Sequence, residues 1–432
     1  MNDTLTSLIG FLEKSPTAFH AVRQIRSCLD QRGYEERKED QRWTLEPGKG
    51  YYVCRNDSAV IAFRIPEGVK DAPGFRLFAS HSDSPMFKIK PGAGLASEDL
   101  VLLNVERYGG AVLSGWFDRP LSIAGRIFVS DHGRIERIFL DFEECTAVIP
   151  SVAPHLTRDK GNVPELNIQR DFKPILCQGD DTDGFWTLIE KKTGYGRQAI
   201  LGHDLFLVNH QQPIVWGPQG EFLSGPRLDD LECCFGSFLG FLAAEDTGRP
   251  DLIPLHCVFD NEEVGSRSLQ GADSTFLDDT LRRICLSLGM GEEEYHIALA
   301  KSLLISADNG HAAHPNMPET SDPVNRPRMN QGIVLKYQGE LKYTTDGRSA
   351  AIVTEICRKK GIPLQTYANR SDITGGSTLG NLLETHLPIS SADIGLAQLA
   401  MHSCFETAGS RDVESLVSFA QAFYTYASDY PR

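Results

Sequence analysis

The sequence of 432 residues lacks the two features that direct a chain into or across a membrane. It contains no apolar run of 18 residues, which excludes a conventional membrane-spanning helix. The longest candidate, residues 233–244, is shorter and is interrupted by glycine and serine, so we interpret it as a buried helix. The first residues include no basic segment followed by an apolar core, and we therefore expect no secretory signal.

The sequence also lacks C-x-x-C motifs and an excess of positive charge. The ten cysteines are scattered without a C-x-x-C pair, a distribution typical of reduced thiols in a cytosolic protein. Acidic residues outnumber Lys and Arg by 58 to 43, which gives a net charge of −15. This balance argues against a surface that binds nucleic acid or anionic lipid. We therefore predict a cytoplasmic protein with no nucleic-acid partner and no membrane partner.

No internal repeat and no low-complexity segment is visible, so the domain organisation is inferred from changes in pattern. The composition, 41% hydrophobic and 23% charged, is that of an ordinary globular protein. Before residue 90 and after residue 222, apolar strands alternate with helical periodicity, whereas the segment between them is rich in glycine, aromatic and β-type residues. The pattern predicts an α/β domain over residues 1–90 and 223–432, interrupted by a β-rich domain over residues 91–222.

Two adjacent carboxylates after a buried strand are the most informative local feature. Residues 252–259 form an apolar run that predicts a strand, and Glu262 and Glu263 lie in the loop that follows it. In open α/β sheets, ligands bind at the C-terminal ends of strands. Two acids held side by side repel each other unless a positive charge lies near them. One acid could therefore bind a metal ion while the other moves protons; the alternative is a solvated acidic turn.

Further acids and histidines fall at other strand ends and helix starts. Each has an ordinary interpretation by itself, such as a helix cap, a turn or a buried histidine. Together they are the nitrogen and oxygen ligands that zinc and similar metals accept, and they suffice for two ions that share a bridging carboxylate. The candidates are His81 and Asp83 after strand 75–80, Asp229 and Asp230 at the start of a helix, Asp308 after strand 302–307, and His402.

The order and content of these motifs resemble the aspartyl aminopeptidase family of metallopeptidases, which also includes the aminopeptidase I type. The matching stretches run in the family order and cover almost the whole chain. They are 80–85 (Ser-His-Ser-Asp-Ser-Pro), 108–110 (Tyr-Gly-Gly), 116–121 (Trp-Phe-Asp-Arg-Pro-Leu), 149–158, 226–229 (Pro-Arg-Leu-Asp), 260–266 (Asp-Asn-Glu-Glu-Val-Gly-Ser), 306–308 (Ser-Ala-Asp), 314–316 (His-Pro-Asn) and 400–403 (Ala-Met-His-Ser).

The resemblance implies a fold, an activity and an assembly. The fold is a three-layer α/β catalytic sandwich with a mixed sheet, interrupted by a β-rich dimerisation domain. The activity is the removal of N-terminal residues, preferably Asp or Glu, from peptides by a metal-activated water. Each subunit holds two divalent metal ions, with zinc expected and manganese or cobalt as alternatives. The subunits form dimers that assemble into a homododecamer.

The resemblance also assigns a role to each candidate residue. By this resemblance, Asp229 bridges the two metal ions and Glu262 is the general base. The remaining assignments are His81 and Asp308 for one metal site, Glu263 and His402 for the other, Asp83 as the carboxylate that orients His81, His155 as a histidine that reaches a neighbouring subunit's active site, and Lys336 as the cation that meets an acidic substrate side chain.

Two departures from the family pattern affect these assignments. Pro154 precedes His155 where the family more often has an Ala-Ile pair, and a proline stiffens the approach to the histidine. Residues 337–345, directly after Lys336, do not align with the family. Arg370 is therefore the second candidate for the substrate cation.

Two alternatives to an aminopeptidase of this family can be compared with the sequence. Another co-catalytic metallohydrolase on the same core, such as a glutamyl aminopeptidase, a carboxypeptidase or a deacetylase, would show similar metal motifs. The Trp-Phe-Asp-Arg motif at 116–119 argues against it. A non-catalytic cargo or scaffold protein with this fold would be indicated by the loss of a metal ligand, and every ligand position is retained.

Overall fold

The structure, a computed structural model, describes residues 3–156, 166–244 and 248–426. These residues form a mixed α/β fold with three sheets. The helices are α1 (Asp3–Glu13), α2 (Ala18–Gln31), α3 (Ile168–Asp171), α4 (Gly184–Thr193), α5 (Leu228–Ala243), α6 (Phe276–Ser287), α7 (Glu292–Ala300), α8 (Gly347–Lys360), α9 (Leu379–His386) and α10 (Asp412–Thr425).

The strands are β1 (Glu35–Glu36), β2 (Gly50–Arg55), β3 (Ala59–Arg64), β4 (Gly74–His81), β5 (Met86–Ser97), β6 (Leu100–Tyr108), β7 (Leu121–Asp131), β8 (Arg134–Asp141), β9 (Ile175–Gln178), β10 (Ile200–Asn209), β11 (Ile214–Trp216), β12 (Phe222–Gly225), β13 (Leu252–Phe259), β14 (Leu303–Ala307), β15 (Gly310–His311), β16 (Ile333–Tyr337), β17 (Leu364–Ala368), β18 (Ser390–Gly395), β19 (Ala397–Leu399) and β20 (Glu406–Gly409).

The largest sheet has nine strands in the order β1-β2-β3-β13-β4-β14-β18-β16-β17. Its central strands β13, β4, β14 and β18 run parallel to one another. Strands β3 and β16 flank this group in the antiparallel direction, so the sheet is mixed. The C-terminal ends of the four parallel strands therefore meet at one edge, which is where α/β sheets bind ligands.

The central strands are buried on both faces because helices cover the sheet on either side. Every residue of β4 is buried. Phe78 packs in the hydrophobic core that contains residues of α1, α2, α5, α8 and α10, whereas Phe75 and Leu77 pack in the core that contains residues of α6, α7 and α9. This alternation is expected of a strand whose successive side chains point to opposite faces. The result is a three-layer sandwich.

The other two sheets are smaller. The strands from β5 to β10 form a six-stranded antiparallel sheet in the order β8-β7-β10-β5-β6-β9, with a hydrophobic core of its own. Strands β11 and β12 pair instead with β20, β19 and β15 in a five-stranded sheet. Arg126 of β7 connects the six-stranded sheet to the nine-stranded sheet, because its guanidinium lies 3.0 Å from the carboxylates of both Asp57 and Asp204.

The regular elements agree with many of the predicted ones. Strand β13 has the predicted bounds, and the helix predicted over residues 228–246 is α5, which ends at Ala243. The hydrophobic pattern does not predict α7, α9 or β18. None of the helices in the described ranges is both long and apolar enough to cross a bilayer. The division of the chain into domains at residues 90 and 222 stays a prediction.

Candidate metal centre

Adjacent strands of the nine-stranded sheet bring part of the site together. His81 is the last residue of β4 and lies opposite Phe259 of β13. Glu262 and Glu263 follow β13, and Asp308 follows β14, which pairs with the other side of β4. Because these three strands are parallel, the residues after them meet at the same edge of the sheet.

Two further segments complete this edge. Asp229 lies in the first turn of α5, where Asp229 and Asp230 have non-helical backbone angles and the peptide bond between them is cis. His402 lies in the turn between β19 and β20 and has a positive φ of 65°. The structure therefore brings together the metal ligands that the resemblance implies, from five separate parts of the chain.

The ligand atoms form two halves that share Asp229. In the first, which we name the inner half, His81 Nε2 lies 3.6 Å from Asp229 Oδ1 and 3.8 Å from Asp308 Oδ1. In the second, the outer half, His402 Nε2 lies 3.6 Å from Asp229 Oδ2 and 3.4 Å from Glu263 Oε2. One oxygen of Asp229 thus faces each half, which is the arrangement of a bridging carboxylate.

The imidazoles of His81 and His402 are both oriented by contacts of Nδ1, whereas Nε2 is the ring nitrogen near Asp229. His81 Nδ1 lies 3.2 Å from the backbone oxygen of Asp83 and 3.3 Å from its Oδ1. His402 Nδ1 lies 3.2 Å from the backbone oxygen of Gly110. Such contacts favour a proton on Nδ1 and leave Nε2 free to bind a metal ion. Asp83 therefore contacts His81 through both its backbone oxygen and its carboxylate.

Asp83 also holds the loop that carries the two glutamates. Its Oδ1 accepts a hydrogen bond from the backbone N–H of Glu262 at 3.1 Å, and its Oδ2 accepts one from that of Glu263 at 3.2 Å. Glu262, Glu263 and His81 form one of the groups whose ligand atoms lie within 4.8 Å of one another. Glu262 is thus next to the ligands of both halves.

The electrostatics of this edge fit a bound cation. Burial raises the pKa of Glu262 to about 8 and that of Glu263 well above its usual value, and the neighbouring carboxylates of Asp83 and Asp229 raise both further. Asp229 Oδ1 is buried and accepts no hydrogen bond within the described part of the chain. Burying an unpaired carboxylate is costly, and a divalent ion between these oxygens removes the cost. The donor set of imidazole nitrogens and carboxylate oxygens is the one that zinc accepts.

Lys336 is buried next to Asp308 of the inner half. Its side chain is 2% exposed, and its Nζ donates to the backbone oxygen of Asn309 at 3.0 Å and lies 3.8 Å from Asp308 Oδ2. Burial alone would raise the pKa of Asp308, but Lys336 and His81 hold this pKa well below its usual range. Lys336 therefore keeps Asp308 charged, a role that the sequence does not predict.

A cavity of about 380 Å³ opens beside the outer half. Met401, next to His402, lines it, and so do His311 and Arg370. Arg370 donates to both carboxylate oxygens of Asp372 and is partly neutralised by it. The cavity is large enough for an amino-acid side chain of a bound peptide.

His155 lies apart from this cluster. It is exposed, in a short 3-10 helix over Pro154–Leu156. None of the three ligand groups found among the described residues includes it. Residues 157 and 158, the end of the motif that carries it, lie outside the described residues. Its action in a neighbouring subunit stays a prediction.

Glu406 is a supporting residue that the sequence reasoning misses. It is buried, its Oε2 accepts the backbone N–H of Asp229 at 3.0 Å, and its Oε1 accepts that of His402 at 2.8 Å. One carboxylate therefore fixes the backbone of Asp229 and that of His402. No local pattern marks Glu406, because it contacts a segment almost 180 residues away.

A mixed α/β sheet with a cluster of histidines and carboxylates at its C-terminal edge is an arrangement typical of metal-dependent hydrolases. Residues 11–424 match the family described as aminopeptidase I zinc metalloprotease (M18). The chain is 40% identical over 426 residues to the probable M18 family aminopeptidase 2 of Clostridium acetobutylicum, covering 96% of this chain and 97% of that protein. The protein of the same name from Stutzerimonas stutzeri is 39% identical over 434 residues, with 99% of each chain covered.

Solved structures give the same result. The Ape4 chain of a complex with Nbr1 superposes with a TM-score of 0.94 at 30% identity and covers 98% of this chain and 85% of its own. The mApe1 chain of a dodecamer from S. cerevisiae has a TM-score of 0.86 at 26% identity, with 98% and 97% covered. The chain therefore belongs to the M18 family and is a metalloaminopeptidase.

Proposed function

We propose that the protein is a di-metal aminopeptidase that removes N-terminal residues, preferably Asp or Glu, from peptides. The di-metal proposal rests on the two carboxylate oxygens of Asp229, which face different histidines at 3.6 Å each. A carboxylate that served a single ion would not need an imidazole on both sides. Zinc is the expected metal, because the matched family is a zinc metalloprotease family, and manganese and cobalt are the alternatives.

In this proposal His81 and Asp308 hold one ion and His402 and Glu263 hold the other, with Asp229 between them. The bound metal would supply Lewis-acid chemistry, polarising the scissile carbonyl and lowering the pKa of a water molecule. Glu262 would take a proton from the water as its oxygen attacks the carbonyl carbon, and would pass this proton to the amine that leaves when the C–N bond breaks. Asp83 supports the step, because it holds His81 and the backbone of Glu262 in place.

The preference for acidic N-terminal residues is assigned to Lys336. A buried cation favours a side-chain carboxylate by a charge-assisted hydrogen bond and disfavours neutral side chains that leave it unpaired. Support comes from its ammonium, which lies next to the inner half, at 3.8 Å from Asp308 Oδ2. Arg370 is the second candidate, since it lines the cavity beside the outer half.

The proposed assembly is a homododecamer built from dimers, with residues 91–222 as the dimerisation domain and residues 1–90 and 223–432 as the catalytic domain. Support comes from the dodecamer of S. cerevisiae mApe1, whose chain shares the fold. His155 would complete a partner subunit's site by donating a hydrogen bond to the substrate carbonyl oxygen as it becomes negative. Its exposure leaves it available to such a partner. The cytoplasmic location stays a prediction.

The proposed activity is tested with a substrate panel. Metal-stripped protein is re-supplied with zinc, manganese or cobalt and assayed on Asp-, Glu- and Leu-chromogenic substrates. We expect activity only after metal is added, with two ions per subunit at saturation and higher kcat/KM for the acidic substrates. Full activity at one ion per subunit would contradict the di-metal proposal, and a preference for Leu would contradict the acidic one.

The role of His155 is tested by complementation. His155→Phe and Glu262→Gln are each expected to be nearly inactive, with metal content retained. When the two variants exchange subunits, some interfaces pair an intact His155 with an intact Glu262, so activity should partly return. Subunit exchange without any recovery of activity would exclude a role for His155 in a partner subunit.

A further inference from the structure

The segment 108–110, Tyr-Gly-Gly, begins at the last residue of β6 in the six-stranded sheet and lies against the metal centre. Tyr108 is the last residue of β6, and its ring packs edge to face on Phe206 of β10 with the ring centres 5.7 Å apart. Its hydroxyl points the other way, toward the loop after β13. The proposed mechanism assigns no role to this tyrosine.

The hydroxyl of Tyr108 makes two hydrogen bonds at the site. It donates to Asp83 Oδ2 at 2.7 Å and accepts from Asn261 Nδ2 at 2.8 Å. Asp83 is the same carboxylate that accepts the backbone N–H groups of Glu262 and Glu263. The hydroxyl of Tyr108 therefore links Asp83, which holds the backbone of the two glutamates, to Asn261, which directly precedes them in the chain.

Asn261 sets the course of that loop. Its backbone is in the left-handed region, with φ of 63°, which asparagine tolerates better than most residues. Its Oδ1 accepts hydrogen bonds from Ser268 Oγ at 2.7 Å and Gln270 Nε2 at 2.8 Å. The hydroxyl of Tyr108 accepts from its amide nitrogen, so both ends of the Asn261 side chain are held.

The two glycines bring the same segment close to the outer half. Gly109 has φ of 75°, and a Cβ at this position would lie 3.1 Å from Glu263 Cβ and 3.3 Å from the backbone of Pro85. The backbone oxygen of Gly110 accepts from His402 Nδ1. A larger residue at 109 would push the segment away from Glu263, which explains the glycine there.

We propose that Tyr108 is a positioning residue that fixes Glu262 through Asp83 and Asn261. It does not touch the reacting atoms; it limits the motion of the loop that carries the general base. A base placed incorrectly by a fraction of an ångström loses rate without losing substrate affinity. The kinetic part of this inference rests on the proposed function, whereas the effect on the loop does not.

The test is Tyr108→Phe, which removes only the hydroxyl. We expect kcat to fall about 10- to 100-fold, the range for a lost hydrogen bond to a charged group, with KM and the two bound ions nearly unchanged. The backbone amides of Glu262 and Glu263 should exchange hydrogen about tenfold faster in the purified metal-loaded protein, because Asp83 holds them less firmly.

Tyr52→Phe is the matched control. Tyr52 is buried whereas Tyr108 is half-buried, and the hydroxyl of Tyr52 likewise donates to a carboxylate oxygen, Asp30 Oδ1, at the same 2.7 Å. This variant should lower the thermal midpoint without changing kcat or the exchange of the two glutamate amides. A second variant, Asn261→Gly, keeps the left-handed backbone and should lower kcat, and combining it with Tyr108→Phe should add little, because both act on one network.

Two outcomes would overturn the inference. One is a kcat of Tyr108→Phe within about twofold of the unmodified protein with unchanged amide exchange. The other is an activity loss that excess zinc restores completely, which would make Tyr108 a residue for metal retention. An unmodified protein with no peptidase activity at full metal loading would instead refute the proposed function, and amide exchange would still decide whether Tyr108 holds the loop.

Discussion

The inner and outer halves of the metal centre have similar ligands but different surroundings. The side chain of His81 in the inner half is 1% exposed, whereas that of His402 in the outer half is 33% exposed. The inner half is backed by Lys336, and the outer half adjoins the 380 Å³ cavity. From this difference we expect the inner half to retain its ion more firmly and the outer half to face the substrate.

The supports of the two histidines differ in the same way. His81 is oriented by Asp83, which contributes a negative charge as well as a backbone oxygen. His402 is oriented by the neutral backbone oxygen of Gly110, and Glu406 holds its backbone. A charged partner raises the basicity of an imidazole ligand more than a neutral one does. We therefore expect the inner half to bind its ion more tightly.

The largest effect is expected for Asp229→Ala, which breaks both halves at once. Because each oxygen of Asp229 faces one histidine, both ions should be lost and activity with them. His402→Ala removes a ligand of the outer half only, so one ion should remain. Metal counting by mass spectrometry on the purified variants checks this expectation. Two tightly held ions in Asp229→Ala would show that this carboxylate is not shared.

Glu262→Gln should separate catalysis from metal binding. The change keeps the shape of the side chain but removes its capacity to accept a proton, so turnover should fall by roughly 10²–10⁴. Both halves should still hold their ions, because the proposed ligand of the pair is Glu263. The control is Glu292→Gln, an exposed glutamate on α7 that should leave both quantities unchanged. Near-normal turnover in Glu262→Gln would assign the base elsewhere.

Withdrawal of metal should distinguish the halves in the unmodified protein. As a zinc buffer lowers the free zinc concentration, the ion of the outer half should leave first, with an affinity at least about tenfold weaker than the inner one. His81→Ala should abolish the tighter binding step and His402→Ala the weaker one. Two ions that leave together at every zinc concentration would remove the distinction between the halves.

The smallest effect is expected for Lys336→Met. If Lys336 selects the substrate, kcat/KM should fall about tenfold more for Asp-peptides than for Leu-peptides. Lys359→Met, at an exposed position of α8, is the matched loss of charge and should change neither. Equal losses on both substrates, accompanied by weaker metal binding, would mean that Lys336 acts only on Asp308. Arg370 would then be the candidate for substrate selection.

The sequence predicts the parts of the site that follow from strand periodicity. The apolar run 252–259 locates β13, and Glu262 and Glu263 follow it as expected. Position in the sequence also selects His81 and His402 as candidates from twelve histidines, and the family resemblance assigns their roles. Periodicity is a local property, so it cannot reveal a contact between distant segments.

The roles and contacts that sequence reasoning misses all depend on such distant segments. Glu406 reaches Asp229, and the hydroxyl of Tyr108 reaches Asn261, 153 residues further along the chain. The burial of Lys336 has the same origin, since β16 must first be placed in the sheet beside β18. These features are set by how the sheets pack, which one sequence does not specify.

The contacts of the Tyr-Gly-Gly segment have a consequence for protein engineering. On the proposed domain division, removing residues 91–222 would delete only the dimerisation domain. The deletion would also remove the Tyr108 hydroxyl that donates to Asp83 and the Gly110 backbone oxygen that contacts His402. The shortened protein would therefore lack two contacts that support the metal centre. A shortened version of this peptidase must therefore include other residues that supply a hydrogen-bond donor to Asp83 and an acceptor to His402.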